Sequence, residues 1–530
     1  MKWGFKMLRI KEKQLSFGCS AYDKIPENHM LKLVAKAVDF SFINDLLASS
    51  YCLDNGRPAK EPELMAKLLF LQYLYNLSDV KVIEEATYNL AWLWFLGLNP
   101  EERLPDPSLL AKFRTQRLRE FSLDDIITEI VRQCVEKGIL KGHGISIDAT
   151  HIEANTGKLI PERIMKHLAK RIFKALKEDL GEIPPEIDTD IPDWTKIEDH
   201  KEAKQIMKQY LEQVMEQAMP LARDKTNAAI VESREILSDE RFLLQKGIRS
   251  LADKDARVGA KSKTDRFYGY KNEFMMTTDE RIITAVHVQS GEYTDGKEFD
   301  ALLEKTMRAG IQPSEIYGDK AYFRKHILDS IAAAEAEALI PVSACAYKVD
   351  EETFRYNKDS DQWFCVMGNH TVRKERKTRK RHGKIVDFYE YSFDKEQCVT
   401  CHLRTLCMKS TATKRKSKVL AISLQTADFY GISQSQKTFE FQERYKKRAA
   451  HEWKNAEMKR FHGLARARGY GLRAVTIQAK LTAIAVNLKR IAALVAENAA
   501  ILFLLSLKRL HIAPSRLRLS LMNQGNLKVA

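Results

Sequence analysis

The chain has 530 residues, too long for one small domain and long enough for three or four structural units. Hydrophobic residues make up 44% of it, enough for real cores, and 87 lysines and arginines against 71 acids leave a net charge of +16. A basic surplus of that size favours a polyanionic partner, nucleic acid first and an anionic membrane surface second. The N-terminal MKWGFKMLRIKEKQLSF lacks the apolar core of a secretory signal. Eight cysteines are too few for a disulfide scaffold in so long a chain, which fits a reducing cytoplasm.

Residues 1–140 read as a helical domain. Glu63 to Asn76 carries Leu64, Leu68, Leu71 and Leu74 at helical spacing. Ser78 is a good N-cap for the next helix, and Gly97 could close it. A third helix is expected after PDPS, capped by Ser108 and carrying Lys112, Arg114, Arg117 and Arg119. Short helices ending in a basic one resemble a helix-turn-helix arrangement, with Arg114 and Arg117 as DNA contacts. An ordinary bundle with a solvated basic face is the other reading.

From Gly144 the texture changes. GISIDAT is β-branched and alternating, a strand ending near Asp148, within a first core segment at 141–156. Residues 157–250 become charged and helical, broken by GEIPPEIDTDIPDW, and read as an insertion. Over 251–345, FYGYKNEFMMT and RIITAVHVQS flank the turn Thr278-Asp279-Glu280 as a hairpin. A helix at Phe299 to Arg308 follows, then EIYGDKAYF with Asp319 where strand meets loop. An Ala-rich helix to about Ala338 and a short strand in IPVSACA complete this part. Residues 346–425 form a second, basic, cysteine-containing insertion. Helix resumes over 426–510, and 511–530 is a tail. Ile491 to Leu507 is interrupted by Glu497 and Asn498 and is shorter than the roughly 20 residues a membrane span needs. Without its insertions the order is strand, hairpin, helix, strand, helix, strand, helix. That order suits an α/β fold with a mixed sheet of the ribonuclease-H type behind a helical N-terminal domain.

Two strand-end acids, Asp148 and Asp319, could face a shared crevice and bind magnesium, which takes carboxylates and keeps water positions. A strand-end Asp can equally be a turn or cap residue. The third acid follows from helical phase. In RYKKRAAHEWKNAEMKR, Tyr445, Arg448, Glu452 and Lys459 fall within a stripe about 60° wide at roughly 100° per residue. Glu443 and Glu457 fall far round the helix, which singles out Glu452; a solvated, salt-bridged face is the alternative.

The spacing Tyr-x2-Arg-x3-Glu-x6-Lys, as Tyr445, Arg448, Glu452 and Lys459, resembles the signature of one large group of bacterial insertion-sequence DDE transposases. GISIDATHIEANT around Asp148 and IYGDKAY around Asp319 resemble that group's first two acidic blocks. YGYKNEF, VNLKRI, GRPA, LYNLSD and FLGL are similar to further blocks, so the likeness covers about residues 45 to 495. The resemblance implies that Asp148, Asp319 and Glu452 hold two Mg²⁺ or Mn²⁺ ions for cleavage at the element's ends and strand transfer into target DNA. It implies too that Tyr445, Arg448 and Lys459 hold phosphates of the end. It further implies double-stranded DNA as partner, both terminal inverted repeats and target, a homodimer pairing two ends, and work at the bacterial nucleoid. A non-cutting repressor of the repeats and a nuclease of similar fold without strand transfer are the competing functions.

Cys398 and Cys401 form a C-x2-C pair, with Cys407 beyond and Cys365 upstream, and four thiolates suit structural zinc. His402 or His370 could replace one of them, and simple reduced thiols are the alternative. RKERKTRKRHGK lies between Cys365 and Cys398, with Lys414, Arg415, Lys416 and Lys418 further on. These cations are either solvated loops or a phosphate-tracking surface.

Overall fold

The computed structural model describes residues 16–52, 59–118, 120–262, 264–344, 347, 349–381, 384–408 and 416–509. Most of GRPA, together with Arg119, Cys345, Lys414, Arg415 and the tail at 511–530, lies outside them. The chain divides into two compact units, Met1–Pro313 with Ala450–Ala530, and Ser314–Ala449.

The first unit opens with α1 (Met30–Ala37), α2 (Phe42–Leu47) and α3 (Pro62–Leu74). Pro62 starts α3, where its missing N–H costs nothing, and nearly every side chain of this helix is buried. The Ser78 hydroxyl accepts from the Lys81 N–H and begins α4 (Asp79–Tyr88). That helix does not run to Gly97. The Asn89 side chain accepts from the Trp92 N–H, breaks the rod and starts α5 (Leu90–Leu96), which Gly97 closes at φ 73°. The expected third helix is also shorter. In α6 (Ser108–Lys112) the start is fixed by the Asp106 carboxylate on the Ser108 N–H, and the chain then widens into a π turn at Phe113–Arg117. The long helix here is α7 (Glu120–Glu136).

Strand β1 (Gly144–Glu153) continues five residues past Asp148, because Thr150 and Ile152 keep the alternation and the strand stays paired through Glu153. Asp148 is therefore mid-strand, not at a strand end. Next come α8 (Pro161–Leu180), α9 (His200–Ala218), α10 (Asp224–Ser238) and α11 (Glu240–Leu243). They share a core in which Ile164, Leu168, Ile172 and Leu176 of α8 meet Met207, Leu211 and Val214 of α9 and Ile230 of α10. Each such side chain contributes about 2 kcal/mol by leaving water.

The sheet of this unit continues with β2 (Arg257–Ala260), β3 (Arg266–Thr277) and β4 (Ile283–Ser290). Strand β3 pairs antiparallel with β1 along one edge; β2 and then β4 share the other. The short β2, with its Gly259 and Ala260, carried no strand signal. Gly269 has φ 155°, and a Cβ there would lie 2.0 Å from the Ile152 carbonyl, so only glycine fits this crossing. Helix α12 (Phe299–Arg308) ends the segment.

The second unit begins with β5 (Glu315–Tyr317), α13 (Lys325–Ala333) and β6 (Glu337–Leu339), the two strands parallel. The helix stops short of Ala338 because Glu335 turns into positive φ, 57°, and the strand falls at 337–339 rather than in IPVSACA. A hairpin of β7 (Phe354–Asn357) and β8 (Gln362–Cys365) precedes a two-stranded ribbon, β9 (Thr371–Arg381) and β10 (Lys384–Phe393). Short helices α14 (Lys395–Val399) and α15 (Arg404–Cys407) follow, and β11 (Val419–Ser423) pairs with the root of β10. Phe354, Trp363, Tyr391 and Phe393 form the local core. Helices α16 (Thr426–Ser435) and α17 (Phe439–Tyr445) lead to a 3₁₀ turn at Lys446–Arg448.

The chain then rejoins the first unit through α18 (Ala449–Phe461) and α19 (Leu472–Arg509), the latter packed on α1, α3, α7 and β4. Buried Asn487 of α19 brackets Ile283 of β4, accepting from its N–H at 2.8 Å and donating to its carbonyl at 2.7 Å. The result is an α/β architecture with a helical N-terminal region and both antiparallel and parallel strands. Among the described residues no helix is long and apolar enough to cross a membrane.

Candidate active site

Helix α18 is pinned along β1 at three points. Near its start, buried His451 stacks on Phe274 at 4.1 Å and its Nδ1 lies 2.9 Å from the Ser146 hydroxyl. Near its end, the Lys459 Nζ lies 3.3 Å from His151 Nδ1. Beyond it, the Glu153 backbone exchanges hydrogen bonds with Ala465 and Ala467 at 3.0 and 2.8 Å. Asp148 is two residues, about 7 Å, past Ser146 on the same strand face, and Glu452 directly follows His451. These anchors set Asp148 and Glu452 on adjacent elements of one unit. Ser146, His151 and His451 carried no signal in the sequence, since their partners lie about 300 positions away.

Asp148 is half-buried, and its Oδ1 accepts from the Ala149 N–H at 2.9 Å. Glu452 is exposed in the first turn of α18, where an acid suits the helix dipole. The two glutamates set aside on helical phase have other partners. Glu443 pairs with Lys446 at 2.5 Å, and Glu457 joins α18 to α19 through Lys454 at 2.8 Å and Lys489 at 3.2 Å.

The stripe itself is not one helix face. Tyr445 ends α17 and Arg448 ends the 3₁₀ turn, whereas Glu452 and Lys459 belong to α18. A 3₁₀ residue turns by roughly 120°, so three of them advance the phase by about 60° beyond the α-helical value. In the second unit Asp319 follows β5, and its Oδ1 accepts from the Ala321 N–H at 2.8 Å as the cap of a 3₁₀ turn. The Tyr445 hydroxyl donates to the Gly318 carbonyl at 3.1 Å, one residue before Asp319. Arg444 fastens the same helix to both strands through Glu315 at 2.9 Å and Glu337 at 2.5 Å. Tyr445 thus braces the Asp319 turn in this structure.

Burial holds Lys459 at about 8, with Lys261 pushing the same way against Glu153. Burial first, and then Lys459 and Lys261, hold His151 down at about 4 despite Asp265. At neutral pH the ammonium of partly buried Lys459 therefore donates to a neutral imidazole near the end of α18.

The two N-terminal arginines are committed within the first unit. Arg114 grips Asp79 through both guanidinium nitrogens at 2.8 and 2.5 Å, and Gln72 at 3.1 Å. Arg117 stacks on Tyr51 at 4.5 Å and donates to the Ser50 carbonyl. A cleft of about 560 Å³ beside Arg114 is lined by Asp79, Arg468 and Gln478, and none of the three acids lines it. Along β9, Arg373, Lys374, Arg376, Lys377, Arg379 and Lys380 are all exposed, with Lys374 paired to Asp361, Arg376 to Asp387 and Lys377 to Glu390. Among the described residues no three His, Cys, Asp or Glu side chains are already grouped as a metal-holding set.

Known families match the chain at two places. Residues 19–116 match a transposase domain family (DUF772), and residues 364–492 match a transposase DDE domain. The chain is thus of the transposase class. The two matches support an insertion-sequence DDE transposase, and DDE transposases generally use divalent metals. The second match takes in Tyr445, Arg448, Glu452 and Lys459 together with the clustered cysteines; Asp148 and Asp319 lie outside both. No solved structure matches the chain.

Proposed function

We propose that this transposase cleaves DNA at the ends of its element and joins the freed 3′ ends to target DNA, using Asp148, Asp319 and Glu452 in a ribonuclease-H-like core. The observation that carries the reading is the anchoring of α18, which bears Glu452, on β1, which bears Asp148, together with the match of α18 to a DDE domain. Asp319 joins them on the strength of its sequence block.

The donor set fits Mg²⁺ or Mn²⁺, since it consists of carboxylate oxygens. Two buried oxygens nearby lack partners and would accept from metal-bound water: Asn272 Oδ1, across from Thr150, and Asn455 Oδ1, one helical turn after Glu452. Such ions would activate the attacking oxygen and stabilise the leaving one. The protein's own part is to fix the acids on braced backbone, Asp148 by β-pairing, Glu452 by His451, and Asp319 by the Tyr445 hydroxyl under Gly318. Lys459 and Arg448 are read as phosphate grips, a point charge and a planar fork respectively. Two protomers would pair the two ends, at the nucleoid of the cell.

The reading is tested by incubating the full chain with duplexes of the element's terminal repeats, target plasmid and Mg²⁺. Nicked 3′ ends followed by joined product are expected. End binding without any cleavage would replace this reading with the repressor, and cleavage without joining with the nuclease.

Because Lys459 titrates at about 8, its charge is present below that pH and lost above it. Affinity for the terminal-repeat duplex, followed by fluorescence anisotropy at fixed salt, is expected to fall about tenfold between pH 7 and 9.5. Lys459→Arg should flatten this step, because arginine keeps its charge. A step of unchanged size in that variant would remove Lys459 from the DNA surface.

A further inference from the structure

Four cysteines far apart in sequence line one small cavity of the second unit. Its wall contains Cys365, Cys398, Cys401 and Cys407 with Phe354 and Phe393, around about 30 Å³. That space is of the order of a single water-sized sphere. Cys365 ends β8 and opens a turn in which its N–H donates to the Asn369 carbonyl and its carbonyl accepts from Gly368. Cys398 lies in α14, Cys401 between the two short helices, and Cys407 ends α15. All four are partly buried free thiols.

The histidines that could have competed stand elsewhere. His402 is exposed, and His370 packs on the Phe364 ring at 5.7 Å; neither lines the cavity. Two cations do line it. Arg404 donates to the Cys398 carbonyl at 3.0 Å, and Lys418 donates to the Cys407 carbonyl at 3.0 Å.

We infer that these four thiols are the ligands of one structural zinc ion that closes the root of the β9–β10 ribbon. Cys365 stands six residues before β9, and Cys398 five residues after β10. A tetrahedral thiolate site at this point ties together the two ends of an otherwise exposed basic hairpin. Soft thiolate donors without an oxygen among them select zinc over magnesium. On binding, the four thiols release their protons to solvent and form four metal–sulfur bonds with no change of oxidation state. The net charge of −2 so created sits against Arg404 and Lys418. The chain's thiols must close in by side-chain rotation, because no three of them yet form a ligand set. This inference does not depend on DNA cleavage.

The full-length protein is purified without chelator and its metals are measured by mass spectrometry. About one zinc per chain is expected. Titration of the wild type with a mercurial should release that zinc as about four thiols react. In Cys398→Ser/Cys401→Ser the zinc should fall at least about tenfold, whereas Cys134→Ser, a buried thiol of the first unit, should keep it. A zinc chelator should also speed tryptic cleavage within β9 of the wild type. Absence of zinc, full zinc in the double variant, or a chain mass about 2 or 4 Da low from disulfides would each overturn the site.

Discussion

Glu452→Gln is expected to lower Mg²⁺-dependent strand transfer on the order of 10³-fold or more while leaving binding of the terminal repeats intact. Glutamine keeps the size and helix preference of glutamate but not the charge. The side chain is exposed in the first turn of α18, so the substitution leaves the buried core untouched. Loss of activity can therefore be separated from loss of fold by a melting curve. Asp319→Asn should behave alike, since asparagine can still cap the turn onto Ala321. Glu443→Gln supplies the contrast, because Glu443 only pairs with exposed Lys446, and full activity is expected. If Glu452→Gln keeps more than about a tenth of wild-type joining in a synchronous assay, the acid has been wrongly assigned.

Glu457→Ala is expected to destabilise the first unit by about 3 kcal/mol, the cost of stranding a buried cation. Lys454 is 4% exposed, and Glu457 is its carboxylate as well as that of Lys489 on α19. Burial raises the Glu457 carboxyl, yet Lys454 and Lys489 outweigh it and hold the group below its ordinary value. Lys454 is also held low, because for the ammonium burial outweighs the attraction of Glu457. A depressed carboxylate stabilises the fold above its unfolded value and loses that contribution as pH falls through the folded one. The stability gap between wild type and Glu457→Ala, read from denaturant melts, should thus be full at pH 7 and shrink below about pH 4. A gap that does not change with pH would mean that Glu457 acts by packing alone.

Local chemistry was readable wherever a residue acts on its near neighbours. Ser78 and Gly97 marked helix ends by capping, and the alternation of β3 and β4 marked the hairpin around Thr278. Signals failed where a distant partner decides. Arg114 looks like a phosphate contact until Asp79, 35 positions upstream, is seen to hold it. The helical phase that singled out Glu452 assumed one continuous rod, and the 3₁₀ turn before Ala449 breaks it. Asn89 is a competent cap inside what periodicity alone makes a single helix. The irregular spacing of the cysteines has a physical source: the β9–β10 ribbon fills the gap between Cys365 and Cys398, which line one cavity.

The return of the chain to its first unit through α18 and α19 bears on how a newborn copy becomes competent. Helix α1 packs on α19, more than 430 residues later in the chain. At roughly 5–20 residues per second, the interval is about 20 to 90 seconds. Until α18 has emerged, β1 presents Asp148 without Glu452, and the Ser146 hydroxyl waits for His451. Synthesis itself therefore acts as a timer: the anchors between β1 and α18 cannot form until α18 has been made.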